Sequence, residues 1–227
     1  RQQQFNVVLW VATHWRAAAH GDEYGELAFT GRERIAISPS FFQRLDKRVA
    51  AINQAGFLSV PVLLWAHKGA NETATRLNPG FDLPEDEAIL LARYMVARWG
   101  ADHCAWILAG DGNYKDEVTE RWKRIGRAVF DNRQHAPVTV HPISIQWTQA
   151  QFDDEAWFDF IGYQSGHGDS NEYISWLVEG PPAQPWQQGK PHPIVNLEPP
   201  YENHIAYHSR KPFDADMTRK RLYWSLL

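Results

Sequence analysis

Short apolar segments alternate along the chain with longer segments whose apolar residues recur at helical spacing. The apolar segments are rich in Val, Ile and Leu, which is typical of strands that are buried on both faces of a sheet. The pattern predicts six strands, at Asn6–Val11, Leu58–Trp65, His103–Leu108, Pro137–His141, Trp157–Tyr163 and Ile194–Leu197.

Helices are predicted between these strands. Ser38 is a favourable N-cap, Pro39 suits the first helical position, and Gly56 gives a stop after an apolar face that repeats at helical spacing. Further helices are predicted from Asp82–Glu85 to Trp99, around Val118 to Val129, over Tyr173–Val178 and over Asp214–Leu226.

Strands that alternate with helices predict an α/β fold with a parallel sheet covered on both faces. No strand end carries a P-loop or a Gly-x-Gly-x-x-Gly turn, which disfavours a nucleotide-binding doubly wound sheet. A (β/α)₈ TIM barrel fits better, as a single catalytic domain over residues 1–227. Such a barrel has eight strands, so we expect its first and last strands to lie outside this sequence.

Composition narrows the possible partners. Hydrophobic residues make up 44% of the chain, charged residues 22%, and the net charge is −4, so we expect neither nucleic acid nor a membrane as partner. Cys104 is the single cysteine, which rules out a disulfide within the chain. The 11 tryptophans exceed ordinary packing needs and favour sugar stacking modestly.

Polar side chains follow every predicted strand, and the carboxyl ends of barrel strands carry the active site. We expect an oligosaccharide to contact the residues at these ends. The candidate substrate-binding residues are His14, Trp65, Lys68, Asn113, His141, Gln164, His167, Tyr201 and Glu202. The three histidines could instead be loop residues that only form hydrogen bonds within the protein. Tyr201 and Glu202 could instead hold neighbouring side chains in place without contacting the substrate.

Two carboxylates directly follow apolar strands. Gly110 and Gly112 flank Asp111, and two prolines follow Glu198. Glycosidic bond hydrolysis needs one carboxylic acid to protonate the leaving oxygen and one carboxylate to attack the sugar or activate water. On spacing alone, a helix cap or a loop ion pair explains either residue as well. The acidic run that ends at Glu155 is interpreted as solvated surface.

Two other functions remain open at this point. A metal-dependent barrel hydrolase would use His14, His141 and His167 with Asp111 around a divalent ion. A non-catalytic barrel would stack sugars on tryptophans and cleave nothing. The tryptophans that follow strands are Trp15, Trp65 and Trp147.

Three segments in order, Trp106–Gly112, Phe160–Gly168 and Asn196–Glu202, resemble the apiosidase-like family of (β/α)₈ glycoside hydrolases. The resemblance extends over essentially the whole chain. It implies a retaining glycosidase without cofactor or metal, in which Asp111 matches the acid/base and Glu198 the nucleophile. In a retaining enzyme the two carboxyl groups lie roughly 5–5.5 Å apart.

Further expectations follow from the same resemblance. The family's characterised members include endo-apiosidases that act on pectin side chains, which implies a pectic, apiose-containing oligosaccharide as substrate. It also implies a periplasmic or secreted protein. A family strand with an Asp-containing loop is expected before Arg1, and a terminal strand after Leu227.

Overall fold

The computed structural model describes residues 5–130, 134–187 and 189–226. These fall into two compact units, residues 1–140 and residues 141–227. Position 188 lies outside the described residues.

The first unit contains a four-stranded parallel sheet with helices between its strands. Its elements are β1 (Val7–Val11), β2 (Phe29–Thr30), β3 (Ala36–Ile37), α1 (Pro39–Gln54), β4 (Leu58–Trp65), α2 (Glu72–Arg76), α3 (Pro79–Asp82), α4 (Glu85–Trp99), β5 (Trp106–Gly110), α5 (Asp116–Phe130) and β6 (Val138–Thr139). The sheet order is β1-β4-β5-β6, and Val62 of β4 pairs with Val11 on one side and Ile107 on the other.

Strand β4 is the centre of this unit. Residues 59–65 are all buried, because helices α1 and α4 pack against a strand that is already paired on both edges. Helix α1 begins where predicted: the Ser38 hydroxyl accepts from the Phe41 amide, and Pro39 is the first helical residue. Gly56, with φ 78°, turns the chain into β4 in a left-handed conformation that suits glycine.

The second unit is built around a parallel pair, β7 (Ile161–Tyr163) and β8 (Ile194–Asn196). Its helices are α6 (Gln149–Phe152), α7 (Asn171–Val178) and α8 (Ala215–Trp224). The Asn196 side chain fixes the end of this pair, because it donates to the hydroxyls of Ser165 and Ser225 and accepts from the Ser165 amide.

Several predicted boundaries are wrong. The segment 157–160 is not a strand, because the Trp157 and Phe158 rings pack as core anchors in a turn against Phe152. The strand expected at His103–Leu108 begins at Trp106, and that expected at Pro137–His141 contains only Val138–Thr139.

Two polar regions have a defined structure. The segment 13–37 contains the antiparallel hairpin of β2 and β3. The carboxylate of Glu155, expected in solvent, is buried because it accepts a hydrogen bond from the indole of Trp157 at 3.1 Å.

Candidate active site

Asp111 lies at the carboxyl end of β5, directly after Gly110. Its φ of 54° is unusual for a residue with a side chain, and such strained positions cluster at functional sites. Its Oδ2 lies 3.0 Å from Nδ1 of His67, and 15% of its side chain is exposed. Gly110 is required here, because a Cβ would come within 2.6 Å of the Trp65 ring and of Val62.

Buried polar groups hold the loops around Asp111. The fully buried Asn78 donates to the carbonyl oxygen of His67 at 2.9 Å and accepts from the Arg16 amide at 3.3 Å. Tyr114 donates its hydroxyl to the Ala109 carbonyl at 2.9 Å, and burial raises the pKa of that phenol well above its usual value. The position of Asp111 is therefore set by strand, turn and loops together.

The other candidates of the first unit differ in exposure. Trp65 is buried and packs at 4.4 Å between ring centroids against the partly exposed Trp15. Lys68 and Asn113 are exposed. Trp15 is thus better placed than Trp65 to offer a ring to a sugar.

His14 lines a cavity of about 230 Å³ together with Phe29, Arg76 and Asp82. Its ring lies 4.6 Å from that of Phe29. Burial lowers the pKa of His14 to about 4, so the ring is neutral at neutral pH. Its Nδ1 is buried and meets no hydrogen-bond partner among the described residues.

Glu198 follows β8, and both of its carboxylate oxygens have hydrogen-bonding partners. Oε1 accepts from the Tyr201 hydroxyl at 2.7 Å and lies 3.1 Å from Nε2 of His167. Oε2 accepts from Nε2 of Gln164 at 2.5 Å and lies 3.3 Å from Nε2 of His141. The structure therefore places four of the predicted substrate-binding residues around the Glu198 carboxylate: His141, Gln164, His167 and Tyr201.

The electrostatics of this cluster favour an ionised carboxylate. Burial alone would raise the pKa of Glu198, since 17% of its side chain is exposed. The hydrogen bonds from His141, His167 and Tyr201, with the charge of His141, outweigh burial and hold the pKa well below its usual range. Glu198 is thus prepared to act as an anion.

His141 lies between two hydrogen-bond acceptors. The ring is almost fully buried, with Nδ1 at 3.1 Å from the Pro142 carbonyl oxygen and Nε2 facing the Glu198 carboxylate. These two contacts fix the direction in which the ring presents Nε2 to Glu198.

Three residues near Glu198 are not among the predicted catalytic or substrate-binding residues, although His204 is one of the polar residues that follow the last predicted strand. The Ser144 hydroxyl donates to Oε1 of Gln164 at 2.5 Å. The His204 ring stacks on His167 at 4.0 Å between centroids, and Tyr207 lies 5.7 Å from His167. Ser144 is in a loop that no strand pattern marks, whereas His204 and Tyr207 follow the predicted Glu198 segment closely. Glu202, which was predicted, is exposed.

Within residues 5–130, 134–187 and 189–226, no group of three His, Cys, Asp or Glu side chains is arranged to hold a metal ion. Of the four residues in the metal hypothesis, His14 and Asp111 belong to the first unit and His141 and His167 to the second. No helix in the described part of the chain is long and apolar enough to cross a membrane.

A family model described as "Apiosidase-like, catalytic domain" matches residues 1–227. No curated protein sequence matches the chain.

Solved structures share the fold. A glycoside hydrolase family 5 protein from Bacteroides vulgatus matches with a TM-score of 0.79 and 20% identity, over 99% of this chain and 49% of that one. A second glycoside hydrolase matches with a TM-score of 0.77 and 18% identity, over 99% and 52%. Endo-glycoceramidase II from Rhodococcus sp. matches with a TM-score of 0.56 and 11% identity, over 97% and 70%.

These matches confirm the predicted fold class, a (β/α)₈ barrel of which this chain covers a part. The chain spans about half the length of the first two matching structures. Because the sequence identities are 20% or less, the structural similarity shows the fold alone.

Proposed function

Because the chain belongs to the family of apiosidase-like catalytic domains, we propose that it is a glycosidase that hydrolyses O-glycosidic bonds with retention of configuration. Glu198 is the proposed nucleophile and Asp111 the proposed acid/base. The observation that carries the proposal is the Glu198 carboxylate, which follows a barrel strand and is held ionised by donors on both oxygens.

The first chemical step uses Glu198 as an anion. One of its oxygens attacks the anomeric carbon, the bond to the leaving oxygen breaks, and that oxygen takes the proton from Asp111. The donors on the carboxylate prevent its protonation in mild acid. The same donors make it a good leaving group in the second step, when water attacks the glycosyl–enzyme ester and gives its proton to Asp111.

Asp111 has to hold a proton, release it and recover it. We propose that His67 positions this carboxyl, because its Nδ1 lies 3.0 Å from Oδ2 of Asp111. The positive φ of Asp111 sets the backbone conformation from which its side chain projects.

The proposed substrate is an apiose-containing pectic oligosaccharide. The family supports apiose, and the partly exposed ring of Trp15 and the exposed ring of Tyr201 suit the apolar faces of sugars. The remaining proposed contacts are His14, Trp65, Lys68, Asn113, His141, Gln164, His167 and Glu202. We further propose that residues 1–227 act as one catalytic domain.

Chemical rescue tests the two roles separately. Pectic oligosaccharides and aryl glycosides are screened with the wild-type protein, and then Glu198→Ala and Asp111→Ala are assayed with and without azide. A nucleophile variant regains turnover with azide and forms the glycosyl azide of inverted configuration. An acid/base variant retains activity on good leaving groups and forms the azide of retained configuration.

Matched controls are Glu172→Ala and Asp102→Ala, since both carboxylates are exposed and lie outside the proposed site. Both are expected to keep wild-type activity. Full activity in Glu198→Ala without azide would overturn the assignment of the nucleophile, and inversion of configuration by the wild-type protein would overturn the retaining mechanism.

A further inference from the structure

The Gln164 side chain links a loop hydroxyl to the proposed nucleophile. Its Nε2 donates to Oε2 of Glu198 at 2.5 Å, and its Oε1 accepts from the Ser144 hydroxyl at 2.5 Å. Gln164 is 95% buried, so both ends of its amide need protein partners. Because a carboxylate only accepts, the NH₂ end faces Glu198 and the oxygen is left for a donor, which Ser144 supplies.

The backbone is shaped to bring Ser144 to this place. The neighbouring Ile145 donates its amide to the Gln164 carbonyl at 2.9 Å and has a φ of 52°. Gly166 has a φ of 64°, and a Cβ there would come within 2.1 Å of the Ser144 hydroxyl. The Gly166 amide in turn donates to the carbonyl of Glu198 at 3.0 Å. Loop, glycine and nucleophile are therefore fixed to one another.

We propose that Ser144 is a positioning residue that, through Gln164, holds Oε2 of Glu198 as the oxygen that does not attack. The inference rests on the proposed function of Glu198. A hydroxyl that donates to an amide oxygen polarises the amide and makes its N–H a stronger donor. Ser144 thereby strengthens the hydrogen bond that Gln164 gives to the carboxylate.

The two carboxylate oxygens have different surroundings. Oε2 faces the buried side chains of Gln164 and His141, whereas Oε1 faces the buried His167 and the hydroxyl of Tyr201, a residue that is 51% exposed. A sugar reaches the exposed side, so Oε1 forms the bond to the anomeric carbon. Oε2 then becomes the carbonyl oxygen of the ester, which still accepts from Gln164. The contact therefore persists through both steps.

The first test needs no substrate. The side-chain amide of Gln164 is followed by ¹H–¹⁵N NMR and assigned by its loss in Gln164→Met. We expect an amide proton shifted downfield and protected from exchange in the wild type, and a smaller shift with faster exchange in Ser144→Ala. The control is Ser165→Ala, which removes a neighbouring buried hydroxyl that bonds to Asn196 instead. A Gln164 resonance unchanged in Ser144→Ala would overturn the proposal.

The second test uses turnover. We expect kcat to fall about three- to tenfold in Ser144→Ala with KM unchanged, because a single hydrogen bond is lost and substrate is not touched. The double variant Ser144→Ala/Gln164→Met is expected to lose no more than Gln164→Met alone. If the losses of the two single variants multiply in the double variant, Ser144 does not act through Gln164. A change in KM alone would also contradict this role.

The pH profile gives a readout that a structural role would not move. Glu198 is faced by Gln164 and by the titratable groups of His141, His167 and Tyr201. A weaker bond from Gln164 raises the pH at which Glu198 gains a proton, so the acidic limb of kcat/KM moves upward in Ser144→Ala. It should not move in Ser165→Ala, and an equal shift in both would contradict the proposal.

Two safeguards keep the outcomes separate. If Ser144→Ala does not fold, Ser144→Cys keeps a similar volume with a weaker donor, and an intermediate loss of kcat is expected; wild-type behaviour of this variant would overturn the proposal. If the wild-type protein hydrolyses no glycoside, the proposed function fails, whereas the amide resonance still decides whether Ser144 controls the contact between Gln164 and Glu198.

Discussion

The imidazole of His167 directs Nε2 at Oε1 of Glu198 over 3.1 Å while the face of its ring stacks on His204 at 4.0 Å, with 20° between the planes. His167 is buried, and its direction decides whether Nε2 reaches the carboxylate. His204 therefore contributes to the geometry of Glu198 without touching it.

Removal of the stacked ring should release His167. In His204→Ala we expect a loss of about 0.5–1.5 kcal/mol in transition-state stabilisation, which is the usual contribution of an aromatic pair. It should appear as a decrease in kcat/KM of roughly two- to tenfold. His208→Ala is the control, because that histidine lies on the same loop and contacts Asp169. Equal losses in both variants would show that the stacking has no specific role.

His14 should make the stability of the protein depend on pH in mild acid. Its pKa is lowered by burial from 6.5 to about 4 in the folded state. Between these values the unfolded chain gains a proton that the folded chain does not, so stability falls as pH decreases from about 6.5 to about 4. The shift corresponds to a loss on the order of 3 kcal/mol at most.

Urea unfolding at several pH values measures this effect. His14→Gln removes the titrating ring and is expected to flatten the decline in unfolding free energy between pH 7 and pH 4. His20→Gln is the control, since that histidine is exposed. A wild-type slope retained in His14→Gln would contradict the effect of burial on this ring.

Arg44 connects helix α1 to the segment that follows β1. Its guanidinium lies 2.5 Å from carboxylate oxygens of both Asp22 and Glu26. The pKa of Glu26 is lowered to about 2 by hydrogen bonds from Ser38, Ser40 and Arg44. One arginine thus holds two points of the polar segment 13–37, which carries His14 and Trp15.

In Arg44→Met we expect faster proteolytic cleavage within residues 13–37, because the ion pairs that hold this segment to helix α1 are lost. Arg48→Met is a matched control, because Arg48 lies one helical turn away and makes a single exposed contact with Glu23 at 3.5 Å. Limited proteolysis with mapping of the first cleavage site measures the difference. Identical cleavage in both variants would contradict the anchoring role.

The strands and helices could be predicted where burial is uniform. Residues 58–65 form β4 as predicted, since each side chain there meets either a helix or a neighbouring strand. Trp157 and Phe158 are equally apolar, but they fill the core from a turn. A run of apolar residues indicates burial but not backbone conformation. The apolar pattern therefore predicts a strand that begins at Trp157, whereas β7 begins at Ile161.

The candidate site could be predicted in part for a similar reason. His141, Gln164 and His167 follow predicted strands, and the rule that active sites lie at the carboxyl ends of strands identified them. Ser144 reaches Gln164 only because the loop turns at Ile145 and leaves space at Gly166. Such a path depends on tertiary contacts, which no local pattern in the sequence indicates.

Covalent trapping of the glycosyl–enzyme tests the central claim most directly. The protein is incubated with a 2-fluoro glycoside of an accepted sugar that carries a good leaving group, digested, and analysed by mass spectrometry. We predict one equivalent of fluoroglycosyl mass on the peptide that contains Glu198, and no label in Glu198→Gln. Attachment to another residue, or rapid turnover of the non-fluorinated substrate with inverted configuration, would contradict Glu198 as the nucleophile.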